Sequence, residues 1–233
     1  MCVSTSNLVG GSLKRVLKSL SPQKRGSGRA WGWLAAITNN HHTYIVLQTI
    51  SLAVNDGKLD EPCWSQANVV TDFTDYRIER LAKEQTFVGV LYDDENLYIA
   101  FECMEPDPNR IVGVERRYDQ SLREEDSVTA RLDTFHDHRC AYIFTVNTLG
   151  TRYDARMGLF DYYEDSTWGC DWSAACTVQK DRWYAEMAIP IGNMLFDRKD
   201  AVTWGLNFYR DISRGFWLSR VMDSAPGDEI PLR

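Results

Sequence analysis

The densest mixture of groups able to grip a polar ring is the run Asp161-Tyr162-Tyr163-Glu164-Asp165-Ser166-Thr167-Trp168-Gly169-Cys170-Asp171-Trp172. Sugar recognition needs a flat aromatic face against the C–H face of a pyranose, and planar polar groups for its hydroxyls. An aromatic side chain buries on the order of 150–250 Å², and at roughly 25 cal/mol per Å² part of that area supplies a few kcal/mol. Trp168 and Trp172, with Tyr162 and Tyr163, are the candidate platform; Asp165 and Asp171 are the candidate acceptors. The competing reading has Trp172 opening the next strand and buried, with Trp168 packing the loop. A second set flanks one connection, with Arg116-Arg117 on one side and Glu124-Glu125-Asp126 on the other. A guanidinium can chelate vicinal hydroxyls and a carboxylate can accept from two of them. Arg117 and Asp126 are carried forward as substrate contacts, and the rest reads as a solvated charged loop whose ion pairs contribute little.

Other chemistries find less support. His136-Asp137-His138 is rich in ligand atoms, but adjacent turn positions splay apart and no third His or Cys lies close in sequence. No G-x-S-x-G elbow, P-loop, G-x-G-x-x-G or H-E-x-x-H occurs. Carboxylates are plentiful enough for a glycosidase pair, which would need two carboxyls about 5–5.5 or 6.5–9.5 Å apart. A hydrolase acting on O-glycosyl bonds is therefore the rival reading. A structural or interaction sandwich with no sugar site is the third.

These residues must be positioned by strands. Thr86 to Tyr92 alternates apolar and small residues, Asp93-Asp94-Glu95-Asn96 is a polar turn, and Leu97, Ile99, Phe101 and Cys103 resume the alternation. That is a hairpin pattern. Further strands are expected over Ser127 to Asp133, Cys140 to Asn147, Thr151 to Met157, Ala174 to Gln179, Trp183 to Ile189 and Thr203 to Ile212. Eight or so strands at 10–15-residue spacings, with scant helical pattern, give an all-β, jelly-roll-like antiparallel β-sandwich. The expected division is a basic, flexible leader over 1–53, the sandwich over 54–215 and a tail over 216–233.

Charge sharpens the division. The 233-residue chain carries −7 overall, yet residues 1–55 hold six Lys and Arg and no acid, so the remainder carries −13. A body that acidic repels phosphate backbones, which argues against nucleic-acid binding by the main domain. The six cysteines form no C-x-x-C pair and signal neither a zinc ribbon nor a cystine framework. No run of 18 apolar residues is present. The leader has a long basic part and a split apolar part, which makes it a poor secretory signal.

Several segments in order carry a family resemblance. Asp56-Gly57-Lys58-Leu59-Asp60-Glu61-Pro62-Cys63-Trp64, Val90 to Ala100, Glu125-Asp126-Ser127-Val128 through Leu132-Asp133, and Phe144 to Gly150 are four of them. Trp183 to Pro190 and Trp204-Gly205-Leu206-Asn207-Phe208 complete the set. Together they resemble family 9 carbohydrate-binding modules, in the subtype that precedes outer-membrane barrels in some Gram-negative proteins. The resemblance implies a β-sandwich, non-catalytic saccharide binding in carbohydrate catabolism, and calcium in some members. It also implies a glycoside hydrolase module or outer-membrane barrel as partner, and a periplasmic, outer-membrane-associated or extracellular site. Asp93, Asp94, Asp126 and Asp133 are the calcium candidates it suggests, and a monomer is expected. Read from the residues alone, Asp56 to Trp64 is structural: a tight Asp-Gly turn, a cap from Asp60 to a short turn beginning at Glu61-Pro62, and Trp64 packed under the sheet as a core residue.

Overall fold

The computed structural model describes residues 34–38, 43–49, 54–75, 78, 80–158, 164–197, 201–214 and 216–221. Fourteen strands run through them, with three short 3-10 turns and no α-helix. In chain order the strands begin with β1 (Leu34–Thr38), β2 (Thr43–Gln48), β3 (Val69–Val70), β4 (Thr74–Asp75) and β5 (Arg80–Leu81). The long central ones follow: β6 (Thr86–Tyr92), β7 (Asn96–Met104), β8 (Ser127–Asp133), β9 (Ala141–Asn147) and β10 (Arg152–Met157). The last are β11 (Ser173–Val178), β12 (Arg182–Pro190), β13 (Ala201–Ile212) and β14 (Phe216–Val221).

Two layers result. The first sheet runs β11-β12-β7-β6-β3 and the second β10-β9-β8-β13-β14-β4-β5. All of these pairings are antiparallel. The β1–β2 hairpin stitches the layers together, because β1 lies parallel to the start of β13 and β2 parallel to the end of β6. These two strands precede the sandwich start expected at residue 54, and β14 follows the end expected at 215. Residues 1–33 of the expected leader, and 222–233 of the tail, lie outside the described residues.

Period-two alternation decides what each strand buries. Val88, Val90, Ile99, Phe101, Cys103, Trp183, Ala185 and Met187 face inward from the first sheet. Val128, Ala130, Leu132, Phe144, Val146, Leu206 and Phe208 meet them from the second. Phe101 and Phe208 touch edge to face across the gap, with ring centroids 5.7 Å apart. The β6–β7 hairpin forms with the expected turn: Asp93 Oδ1 accepts the amides of Glu95 and Asn96, and Oδ2 accepts the Tyr98 hydroxyl.

A second, smaller cluster sits on the outer side of the first sheet, where Cys63, Leu91 and Tyr98 are covered by Trp64 and Ala67. Its roof is the segment 54–67. Buried Glu186 on β12 holds that roof in place: one oxygen accepts the amides of Asp56 and Gly57 at 3.0 and 2.6 Å, the other the Trp64 indole N–H at 2.9 Å. Gly57 has φ of +79°, and a Cβ there would stand 3.0 Å from the Cys176 backbone. Only glycine fits. The cap expected from Asp60 is not used, since the 3-10 turn Trp64–Gln66 has Cys63 at its N-cap without a side-chain bond. Glu61 instead accepts the Val54 amide at 3.0 Å.

Candidate functional site

The outer side of the second sheet carries a row that pairing alone assembles. Tyr209 on β13 lies opposite Thr129 on β8, Thr129 opposite Thr145 on β9, and Thr145 opposite Tyr153 on β10. Their strand neighbours Phe208, Ala130, Phe144 and Asp154 point inward, so all four of these side chains share the outer face. The two threonine hydroxyls hydrogen-bond at 2.9 Å and form a low, largely covered floor, 8% and 9% exposed. The tyrosines stand at its sides, about 14 Å apart at three strand spacings. A shallow trough with aromatic walls results.

Charged groups frame the trough. The Arg131 guanidinium lies 5.0 Å from the Tyr209 ring centroid, a cation–π geometry that orients both groups. Arg131 Nη2 donates to Glu164 Oε1 at 3.0 Å, and the Tyr153 hydroxyl donates to Glu164 Oε2 at 3.2 Å. One carboxylate therefore ties the two sides together. Burial, then the charge of Glu164, pushes the Tyr153 phenol up to about 12. At the other end Asp211 accepts from the Ser127 hydroxyl at 3.4 Å. Burial is the main reason its carboxyl is raised to about 6, against the pull of the Ser127 bond and of Arg131. That end of the trough can hold a proton at mildly acid pH.

The segment expected to form the site straddles the edge strand β10. Glu164 reaches the outer face, Asp165 pairs with Arg156 through a two-way backbone bridge, and Cys170 and Trp172 turn inward. Trp172 is buried and lies in the core: its indole N–H donates to Asp154 at 2.8 Å and its ring meets Phe144 edge to face. The inward phase of the chain at β11 puts it there, so it offers no face to solvent. Trp168 is partly exposed at the rim, tilted on Tyr142 at 4.8 Å and near Phe144 at 6.0 Å. Asp165 accepts from Thr167 and faces Arg156 at 3.6 Å. Asp171 is exposed. Tyr162 and Tyr163 lie outside the described residues.

The other two candidates go elsewhere. Arg117 is turned into its own loop by a two-pronged bond to Glu115, at 3.0 and 2.8 Å. The same bonds hold the Glu115 carboxyl down at about 2. Asp126 is fully buried and accepts the Val112 amide at 2.9 Å, which makes it a fastener of the 111–114 segment rather than a surface contact. The loop does contribute an aromatic the sequence reading passed over: Tyr118 is 42% exposed, bonded to Asp154, with the Arg152 guanidinium 5.0 Å from its ring.

No calcium cage is assembled from the expected carboxylates. Asp93 caps its turn, Asp94 accepts from Gln48, Asp133 accepts the amides of Phe135 and His138, and Asp126 is interior. Among the described residues one trio of carboxylates does converge, Asp56, Glu61 and Glu186, with ligand atoms within 4.8 Å of one another. Glu186 already spends both oxygens on three N–H donors, and Asp56 holds Lys58 at 2.8 Å. That donor-filled trio does not fit a cation needing six to eight oxygens. The rings of His136 and His138 stand 5.3 Å apart, but no Cys or carboxylate completes a set of three with them among the described residues.

No family model matches the sequence and no curated protein matches it. Solved structures do. A family 9 carbohydrate-binding module from Caldicellulosiruptor kristjanssonii in complex with glucose superposes with a TM-score of 0.53 at 16% identity, over 79% of this chain and 88% of that one. The same kind of module with cellotriose gives 0.52 at 16% identity, over 79% and 87%. The fold is that of a family 9 carbohydrate-binding module. A candidate carbohydrate-binding protein from Bacteroides uniformis ATCC 8492 agrees with this family-9-like fold at a TM-score of 0.58, with 13% identity over 80% of this chain and 88% of that one. At such identities the likeness concerns the fold, and the trough of this family-9-like domain has to be read from its own side chains.

Proposed function

We propose that the chain binds a neutral saccharide of the glucose or β-glucan type in the trough between Tyr153 and Tyr209. The observation that carries this reading is the row Tyr209–Thr129–Thr145–Tyr153, which combines two ring faces with hydroxyl donors and acceptors on one rigid sheet. A pyranose laid on a tyrosine buries its C–H face while its rim hydroxyls reach Glu164, over the floor that the paired Thr129 and Thr145 form. Pairing of Arg131 with Glu164 leaves little net charge to attract an acidic sugar. Trp168, partly exposed at the neighbouring edge, extends the contact to a second sugar unit. The glucose and cellotriose bound by modules of the same fold support this ligand class. On this reading the domain serves polysaccharide breakdown outside the cytoplasm, holding substrate for a catalytic partner.

A glycan array followed by titration calorimetry with cellotriose tests the proposal. The expected Kd falls between about 1 mM and 1 μM, and Tyr209→Ala weakens it at least about tenfold. A wild-type chain that retains no glucan on the array overturns the reading.

A further inference from the structure

The interior between the sheets ends, beside the β13–β14 turn, in a group of charges that saccharide binding does not use. Arg210 on β13 and Glu105, just after β7, have no exposed surface. Arg210 Nη2 approaches Glu105 Oε2 at 3.7 Å, and Arg214 Nη2 donates to the same oxygen at 3.0 Å. Arg210 Nη1 makes two long bonds, each 3.4 Å, to the Glu84 carbonyl and the Thr86 hydroxyl. Arg210 Nε and Nη2, Arg214 Nη1 and Ser213 Oγ are buried and have no hydrogen-bond partner among the described residues.

A guanidinium offers five N–H donors and no acceptor, and a buried charged donor left unmet is costly. Two guanidiniums converge on one carboxylate here, and among the described residues no second carboxylate comes within 4.0 Å of either. Asp126 and Asp75 are further interior acids of this region, but neither forms an ion pair with either arginine, and Asp126 gives one oxygen to the Val112 amide. The unmet nitrogens can be satisfied only by acceptors. Arg210 Nη2 and Arg214 Nη2 approach the same Glu105 oxygen at 3.7 and 3.0 Å, which sets the two guanidiniums side by side, with Arg210 Nε and Nη2 and Arg214 Nη1 still open. A doubly charged anion would overshoot the one positive charge that these direct contacts leave.

We propose that Arg210, Arg214 and Ser213 bind a small monovalent inorganic anion of chloride size. The ion fastens the β13–β14 turn to the end of β7 by meeting donors that the described residues leave open. Arg214, whose side chain is 14% exposed, lies on the route to solvent. The site is independent of the trough, since Arg210 faces inward while Tyr209 faces out.

Thermal melting of the whole chain in sodium chloride, with ionic strength held constant by sodium methanesulfonate, tests the site. Chloride is expected to raise Tm by about 3–5 °C between 5 and 500 mM, and Arg214→Gln to abolish the rise. Equal Tm in the two salts, or an equal chloride effect in wild type and R214Q, overturns the proposal. Should R214Q fail to fold, wild-type crystals soaked in bromide decide it. An anomalous peak within contact of Arg210 and Arg214 supports the site, and its absence overturns it. Cellotriose titration in both salts should give the same affinity.

Discussion

The two outer faces of the sandwich begin from similar material and end differently. The first sheet carries Phe87, Glu102 and Tyr184 side by side across β6, β7 and β12, and the second carries Tyr209, Thr129, Thr145 and Tyr153. On the first, half the face is roofed by the chain's own 54–67 segment, with Trp64 lying over Gly89 and Glu186 consumed as its anchor. The polar row that stays open there is closed on itself, because Arg182 clasps both Glu102 and Asp181. On the second, small threonines keep the floor low and the carboxylates sit at the rim. The difference shows what turns an aromatic row into a site. Rings alone do not suffice, and the space between them must be low, polar and not already filled by the chain itself.

That contrast can be broken from either side. The largest effect is expected on the roofed face: Glu186→Ala removes the acceptor of three N–H groups, one buried and two part-buried, and should cost about 2–4 kcal/mol, read as a lower denaturant midpoint. Cellotriose affinity at low temperature should hardly change. If it fell in parallel, the two faces would not be separable. Next comes the open face, where Tyr209→Ala or Tyr153→Ala is expected to weaken binding by about 1.5–3 kcal/mol with a smaller loss of stability.

Asp211 gives a third handle. Its folded carboxyl is raised to about 6, so the folded state holds its proton over a range where the unfolded chain, titrating near 4, has released it. Stability contributed by this group is therefore present below the unfolded value and lost as pH rises through about 4 to 6. Asp211→Asn should stabilise the chain by about 1–2 kcal/mol at pH 7 and by nothing at pH 3. Equal gains at both pH values would show that the charge is not the cause. The smallest effect belongs to the closed row: Arg182→Ala should shift stability by no more than about 0.5 kcal/mol and leave binding untouched.

Much of the frame could be read in the chain itself. Ser127–Asp133 is found as expected, and β6, β7, β9, β10, β11, β12 and β13 lie within a residue or two of the expected spans, because their alternation reports one buried face. β3, β4 and β5 are two residues each and too short to show a period. β1, with Leu34-Ala35-Ala36-Ile37, is apolar throughout and carries no alternation. The site was less legible. Tyr153 and Tyr209 are 56 positions apart, and only the strand order β10-β9-β8-β13 sets them on one row. The signal that could have found them is an outward-phase tyrosine between polar neighbours in each strand. The aromatic-rich segment drew attention instead, yet it gives Trp172 to the core and Glu164 to the trough.

The roof anchored by Glu186 has a consequence for assembly. Its contacts with Asp56 and Gly57 join positions 130 and 129 residues apart, so they can close only after β12 has been synthesised and has found β7. Until then a nascent chain leaves Leu91 and Tyr98 bare on a half-made sheet, the stage at which a chaperone would find most to hold and at which a neighbouring chain could intrude.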